Sequence, residues 1–374
     1  MSGARAVTVS AGEADQRLDR WLKQRFPDLG HGALQRLLRT GQVRVDGRRV
    51  KAGARLVPGQ VVRVPPMPAA ATPPATRRPK RAPAPLDAAD AAALRDAVLH
   101  RDDFVIAIDK PAGLAVQGGT GLRRHLDAML EALRFERAEA PRLVHRLDKD
   151  TSGVLLLARD AAAARALTGA FRDKAAHKIY WALVAGVPSP KRGYVDMALA
   201  KQPARGGERV GAAGAAGKPS LSAYTVAATA ALGLGPPSLA LLVLMPLTGR
   251  THQLRAHCAA LGTPIVGDGK YGGRQAFPEG LEARLGPAWG GRLMLHARAI
   301  ALPHPDDGTT LRVVAPPPAH LAVALERLDL DPRIAERAAD DLLDYAHGLA
   351  HSPPGTRPSP RQRRGATGAK RAKR

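Results

Sequence analysis

Apolar positions follow two rhythms along this chain. From Gln16 they fall at Leu18, Trp21, Leu22 and Phe26, then at Leu34, Leu37 and Leu38. That is the spacing of two amphipathic helices with one face turned inward and Arg36 and Arg39 turned out. Pro27 and Gly30 end the first helix, and Gly41 stands where the second needs a C-cap. Val7 and Val9 alternate ahead of the helices as a strand-like lead-in. Behind them Val43-Arg44-Val45 alternates, Asp46-Gly47 suits a hairpin turn, and Val61 to Val64 reads as a closing strand. Residues 15–65 therefore form a small α+β module.

Eight prolines and four basic residues between 65 and 86 then describe a flexible, fairly extended linker, set at 66–87. Beyond it the apolar residues gather in short runs, the pattern of buried strands, at 104–108, 154–158 and 239–245, and 178–186 and 311–314 also read as strands. Helical spacing returns at Leu126, Met129, Leu130 and Leu133. It returns again at Ala164, Leu167 and Phe171, behind Asp160 as an N-cap. Thr248 or Thr251 is positioned to start a further helix that ends before Gly262. Residues 202–218, rich in Gly and Ala and holding Arg205, Glu208 and Arg209, read as a surface loop. The class is α+β: a module at 15–65, a linker, a larger body at 88–330, and a helix with a basic disordered tail at 331–374.

Charge sharpens this division. Of the formal +24, the segments 17–64, 65–85 and 351–374 carry +21, which leaves the body nearly neutral. Basic appendages on a neutral body suit a polyanion partner, and RNA fits better than a membrane surface because no basic amphipathic helix lies beside an apolar face. The single cysteine, Cys258, excludes disulfide frameworks and Cys-rich zinc sites and is consistent with a reducing cytoplasm. No signal-peptide pattern and no unbroken apolar run of about 18 residues is found, so a cytoplasmic protein is expected.

The densest chemistry lies in RLVHRLDKDTSGVLLLAR, residues 142–159. Between His145 and Gly153 it places two carboxylates, three bases and two hydroxyls just before an apolar strand. Asp148 stands between Arg146-Leu147 and Lys149, where its carboxylate can stay ionised beside a buried strand and serve as nucleophile or base. A solvated, salt-bridged turn has the same composition. The Gly118-Gly119-Thr120-Gly121 run lacks the Lys-Ser/Thr of a phosphate-binding loop. His252 and His257 are five residues apart with no acidic ligand between them, so no metal site is expected.

The nine residues HRLDKDTSG resemble the catalytic motif of the RluA-type RNA pseudouridine synthases, which convert uridine in RNA to its C-glycoside isomer. Further segments are similar to the family: Lys110-Pro111 with Gly113-Leu114, the KxYxAxVxG pattern from Lys178 to Gly186, GRTHQLRAH at 249–257, TPIVGDGKYG at 263–272 and RLMLHA at 292–297. The stretch from Val116 to Leu122 resembles the branch typified by ribosomal large subunit pseudouridine synthase C, although Gln117 stands where that branch usually has His. RLDRWL at 17–22 and the segment 37–64 resemble an S4 RNA-binding domain. The likeness covers roughly residues 15–65 and 100–320.

The resemblance implies a catalytic domain on a mixed, largely antiparallel sheet and an isomerisation that needs no cofactor. It implies Asp148 as nucleophile or base, Arg255 as the partner of its carboxylate, and Tyr180 beside the uracil. Arg146 would fill the space left by the flipped base, with His145 among the RNA contacts. In the S4-like module Arg36, Arg39, Arg44, Arg48, Arg49 and Lys51 would contact phosphates. The expected partner is 23S ribosomal RNA or a large-subunit precursor. A monomer and no membrane are expected, with transfer RNA as another substrate and a non-catalytic RNA-binding role as the other class.

Overall fold

The computed structural model describes residues 5–26, 29–66, 87–118, 124–204, 207–213, 217–233, 235–236 and 238–351. Most of the expected linker, Gly119-Thr120-Gly121, Arg205 and the tail beyond His351 lie outside them. The chain divides into two compact units, 1–84 and 85–374.

The first unit contains β1 (Arg5–Thr8), α1 (Leu18–Arg25), α2 (His31–Thr40), β2 (Arg44–Val45) and β3 (Val61–Val64). The antiparallel sheet runs β1-β3-β2. Leu18, Trp21, Leu22, Leu34 and Leu38 bury their helix faces with Val43, Val45, Val62 and Val64. Gly41, at φ 72°, ends α2 as its position suggested. Asp46 and Gly47 both take positive φ, and the Asp46 carboxylate accepts the Val61 N–H at 2.8 Å, which ties the turn to β3.

The second unit runs α3 (Ala88–Asp96), β4 (Val98–Arg101), β5 (Val105–Lys110) and α4 (Leu126–Met129), which tightens into a 3-10 turn to Leu133. Next come β6 (Arg142–Leu143), β7 (Ser152–Ala158), α5 (Ala161–Arg172), β8 (His177–Ala185) and β9 (Arg192–Asp196). They are followed by β10 (Leu199–Ala204), β11 (Gly207–Ala212), β12 (Leu221–Ala230), β13 (Leu239–Pro246), α6 (Gln253–Ala260) and α7 (Leu281–Leu285). The unit closes with β14 (Leu295–Pro303), β15 (Thr310–Val314), α8 (Ala319–Arg327) and α9 (Pro332–His351).

One sheet of ten strands organises this unit in the order β4-β5-β7-β14-β8-β13-β12-β9, with β6 on β7 and β15 on β14. Among the described residues β7 and β14 pair in parallel and the other pairs are antiparallel, so the sheet is mixed and mostly antiparallel. All seven residues of β7 and all eight of β13 are buried, as central strands covered on both faces must be. Leu126, Met129, Leu130 and Leu133 bury together against β5 and β7, while Leu167 of α5 joins the cluster that holds Leu156 and Ile300. Asp160 caps α5 by accepting the Ala163 N–H at 2.8 Å.

Two expectations are corrected, and two strands were not foreseen. Residues 202–218 do not form a plain loop, because most of them belong to the β10–β11 hairpin, registered Leu199↔Ala212 through Ala204↔Gly207. Its Gly- and Ala-rich sequence has little side-chain periodicity; backbone pairing and the burial of Leu199 and Val210 beside Ala256 and Tyr271 hold it. Neither Thr248 nor Thr251 starts α6; His252 holds the N-cap position without a side-chain capping bond, and the Gln253 side chain folds back to accept the Thr248 hydroxyl and the Arg250 N–H. Strands β9 and β12 had no apolar run to announce them, since β12 is built largely of Ala and Thr. Among the described residues no helix is long and apolar enough to cross a membrane.

Candidate active site

The loop from His145 to Thr151 delivers Asp148 to the start of β7, and Gly153 fixes how closely that strand meets its neighbour. Gly153 has φ 108°, and a Cβ there would lie 2.2 Å from the carbonyl oxygen of Ala297. Only glycine fits this approach. Gly153 pairs with Ala297 across the parallel strands, and Ala297 pairs with Tyr180 across the antiparallel ones. The three positions form a line over β7, β14 and β8 that brings the Asp148 loop to the side of Tyr180. Ser152 donates its hydroxyl to His296 Nδ1 at 2.9 Å, and His296 Nε2 donates to the Ala315 carbonyl at 3.3 Å, so this buried imidazole is neutral. Burial pushes it down to about 4.

The Asp148 side chain is 18% exposed, enough for a substrate atom to reach it. Below the loop Lys110 is wholly buried, and its ammonium donates to the carbonyls of Pro111 at 2.8 Å, Leu114 at 2.9 Å and Lys149 at 3.1 Å. Burial lowers this lysine to about 8, against the opposing charges of Asp150, Asp148 and Asp109. Gly113 N–H also bonds the Lys149 carbonyl, at 2.9 Å. The KPAGL turn thus acts as a scaffold for the residue next to Asp148. Burial, followed by the Asp148 charge, raises the Tyr180 phenol above its ordinary range and keeps it protonated.

Arg255 was expected to pair with Asp148. Its guanidinium instead makes a bidentate pair with Asp268, Nε to Oδ2 at 2.8 Å and the terminal nitrogen to Oδ1 at 2.7 Å. The reason is burial: Asp268 is 1% exposed, and a carboxylate removed from water must take a full partner. Burial alone would lower Arg255; the hydrogen bond and charge of Asp268, and then the charge of Asp148, raise it instead. Asp148 therefore acts on Arg255 through space. A closer group is His252, whose Nε2 lies 4.0 Å from Asp148 Oδ1.

Arg146 is exposed and has no ion-pair partner among the described residues, which leaves its guanidinium available. His145, half-buried, turns one ring nitrogen inward. Its Nε2 accepts the Leu156 N–H at 2.8 Å, in the gap where β6 and β14 leave β7 without a neighbour, and its ring stacks on Phe171 at 4.5 Å. Burial, aided by Lys178, pushes it down to about 3. His145 positions the strand that carries the loop.

In the other unit, Arg36, Arg39, Arg49 and Lys51 converge on a groove of about 510 Å³. Arg49 reaches across it to the Arg39 carbonyl. Arg44 and Arg48 are exposed on the turn outside this groove, with Arg44 donating to the Gly47 carbonyl at 3.2 Å. His252 and His257 go to different partners, Tyr271 and Ser220, and among the described residues no group of three or more His, Cys, Asp or Glu could hold a metal ion.

Sequence reasoning did not single out Asp268, Tyr271 or the buried state of Lys110, and it weighed His252 only as a metal ligand. One signal was present for Asp268: a carboxylate one glycine beyond the apolar Pro264-Ile265-Val266 has to find a cation.

Residues 104–260 match the family model described as RNA pseudouridylate synthase. The ribosomal large subunit pseudouridine synthase C of Escherichia coli (strain K12) is 38% identical over 322 residues, covering 86% of this chain and 96% of the relative. The protein of that name from Haemophilus influenzae is 35% identical over 329 residues, covering 87% and 96%. Among solved structures, human RNA pseudouridylate synthase domain containing 4 superposes with a TM-score of 0.54 at 30% identity, over 64% of this chain and 96% of that one.

Proposed function

The chain belongs to the RNA pseudouridylate synthase family and is an RNA pseudouridine synthase, and on that premise we propose that it isomerises uridines of large-subunit (23S) ribosomal RNA with Asp148 as the reacting carboxylate. The observation that carries this reading is the partly exposed Asp148, beside Tyr180 and with no lysine or arginine ion pair to it among the described residues. The reaction breaks the N1 glycosidic bond, turns the base and joins C5 to the ribose. It is redox-neutral, so the side chains suffice.

A carboxylate here serves as nucleophile or base while the protonated Tyr180 lies against the uracil. The uridine leaves its stack to enter the site, and the exposed guanidinium of Arg146 takes the vacated place. The 15–65 unit is an S4-type RNA-binding domain in this reading, with Arg36, Arg39, Arg49 and Lys51 holding phosphates through charge rather than sequence. Ribosomal RNA is favoured by the names of the relatives, which match over nearly their whole length.

The test is pseudouridine mapping of ribosomal and transfer RNA from cells lacking the protein, rescued by wild type or by Asp148→Asn. Loss at particular large-subunit sites, restored by wild type alone, is expected. Loss confined to transfer RNA would overturn the substrate.

A further inference from the structure

The geometry around Asp148 assigns a role to a residue that the reaction has not yet used. We propose that His252 is a positioning residue for Asp148, a neutral imidazole that presents its Nε2–H to the carboxylate while Tyr271 fixes its tautomer. This rests on the reading of Asp148 as the reacting group.

His252 holds φ 52°, a left-handed conformation that residues other than glycine seldom adopt. Its side chain is held by Tyr271. Nδ1 lies 2.9 Å from the Tyr271 hydroxyl, and the two rings meet edge to face at 5.6 Å and 88°. The Tyr271 oxygen already accepts the Val210 N–H at 3.0 Å, which leaves its own proton to be given to Nδ1 in the proposed arrangement. With Nδ1 accepting, the imidazole carries its hydrogen on Nε2, 4.0 Å from Asp148 Oδ1. Arg209 and Arg255 lie 4.8 and 5.0 Å from the centre of the Tyr271 ring and hold it in place.

The charged groups that act on His252 are Asp148 and Asp268 on one side and Arg255 and Lys270 on the other. Burial lowers the imidazole, and Arg255 and Lys270 lower it further against the pull of the two carboxylates. A neutral donor suits this position. It aligns one carboxylate oxygen and leaves the other to the ribose or base, and it weakens the carboxylate less than a full cation would. The Arg255 charge is already engaged by Asp268, which leaves this alignment to His252. The separation of 4.0 Å exceeds hydrogen-bond length and closes when the uridine is bound, as catalytic contacts tighten in the substrate complex.

The experiment pairs nitrogen NMR of histidine-labelled full-length protein with single-turnover kinetics. His252 is expected neutral and protonated at Nε2, with a resonance that moves in Asp148→Asn and tautomers that mix in Tyr271→Phe. His252→Ala should lower the rate of pseudouridine formation about 10- to 100-fold with RNA affinity unchanged. His252→Gln, whose amide N–H reaches the position of Nε2, should restore most of that loss. A hydrogen on Nδ1, a His252→Ala rate equal to wild type, or a Gln variant as slow as Ala would overturn the proposal. Were wild type to turn over no RNA, the proposed reaction would fall, and the response of the His252 resonance to Asp148→Asn would still decide this inference.

Discussion

The buried ammonium of Lys110 donates a hydrogen bond to the carbonyl oxygen of Lys149, 3.1 Å away and 39 residues along the chain. That bond joins the end of β5 to the residue following Asp148. Lys110→Met would take the ammonium donor from the carbonyls of Pro111, Leu114 and Lys149, of which, among the described residues, only the last keeps another, the Gly113 N–H. A loss of about 2–4 kcal/mol in unfolding free energy is expected, together with a slower catalytic step, because the Asp148 loop is released. Denaturant unfolding and single-turnover kinetics on the same protein check both.

The Arg255–Asp268 pair predicts strong coupling. Either Arg255→Met or Asp268→Leu alone strands a buried charge and should cost about 3–5 kcal/mol. The double variant removes both charges and should cost less than the sum by about 1–3 kcal/mol. Additive losses in a double-mutant cycle would show that the two side chains do not depend on each other.

Acid should destabilise the catalytic unit through its buried histidines. His257 and His296 are 2% and 0% exposed, and burial pushes both to about 4. His145, pushed to about 3 first by burial and then by Lys178, acts in the same direction. Between about pH 6.5 and 4 the unfolded chain takes up protons at these sites while the native state does not. The unfolded state then binds more protons, so stability falls as pH falls through that window, by up to about 1.4 kcal/mol per pH unit for each site. Urea unfolding at about pH 7 and about pH 5 measures the slope, and His296→Gln should reduce it.

The groove of the N-terminal unit predicts an ionic-strength signature. Neutralising Arg39, Arg49 and Lys51 together should weaken RNA binding and reduce the slope of log affinity against log salt by about 2–3. An unchanged slope would remove this face from the RNA-binding surface.

Much of this was legible in the sequence because burial leaves a periodic mark. Leu18, Trp21 and Leu22 on one helix and the unbroken runs in β7, β8 and β13 announced their elements directly. Asp148 and Tyr180 were legible as chemistry because their segments match a recognised pattern. The hairpin β10–β11 was not, since Gly and Ala carry no facial preference and its register is set by backbone bonds. The true partner of Arg255 was not legible either. Two carboxylates compete for one guanidinium, and only the three-dimensional burial of Asp268 decides between them. The structural part of His145 was not legible for a similar reason: only the fold shows that β7 leaves the Leu156 N–H for its ring to accept.

The most direct test of the central claim compares wild type with Asp148→Asn on purified large-subunit ribosomal RNA, measuring binding and pseudouridine formation side by side. This reading expects near-equal affinity and no pseudouridine from the variant. Turnover by Asp148→Asn at the wild-type rate would contradict it.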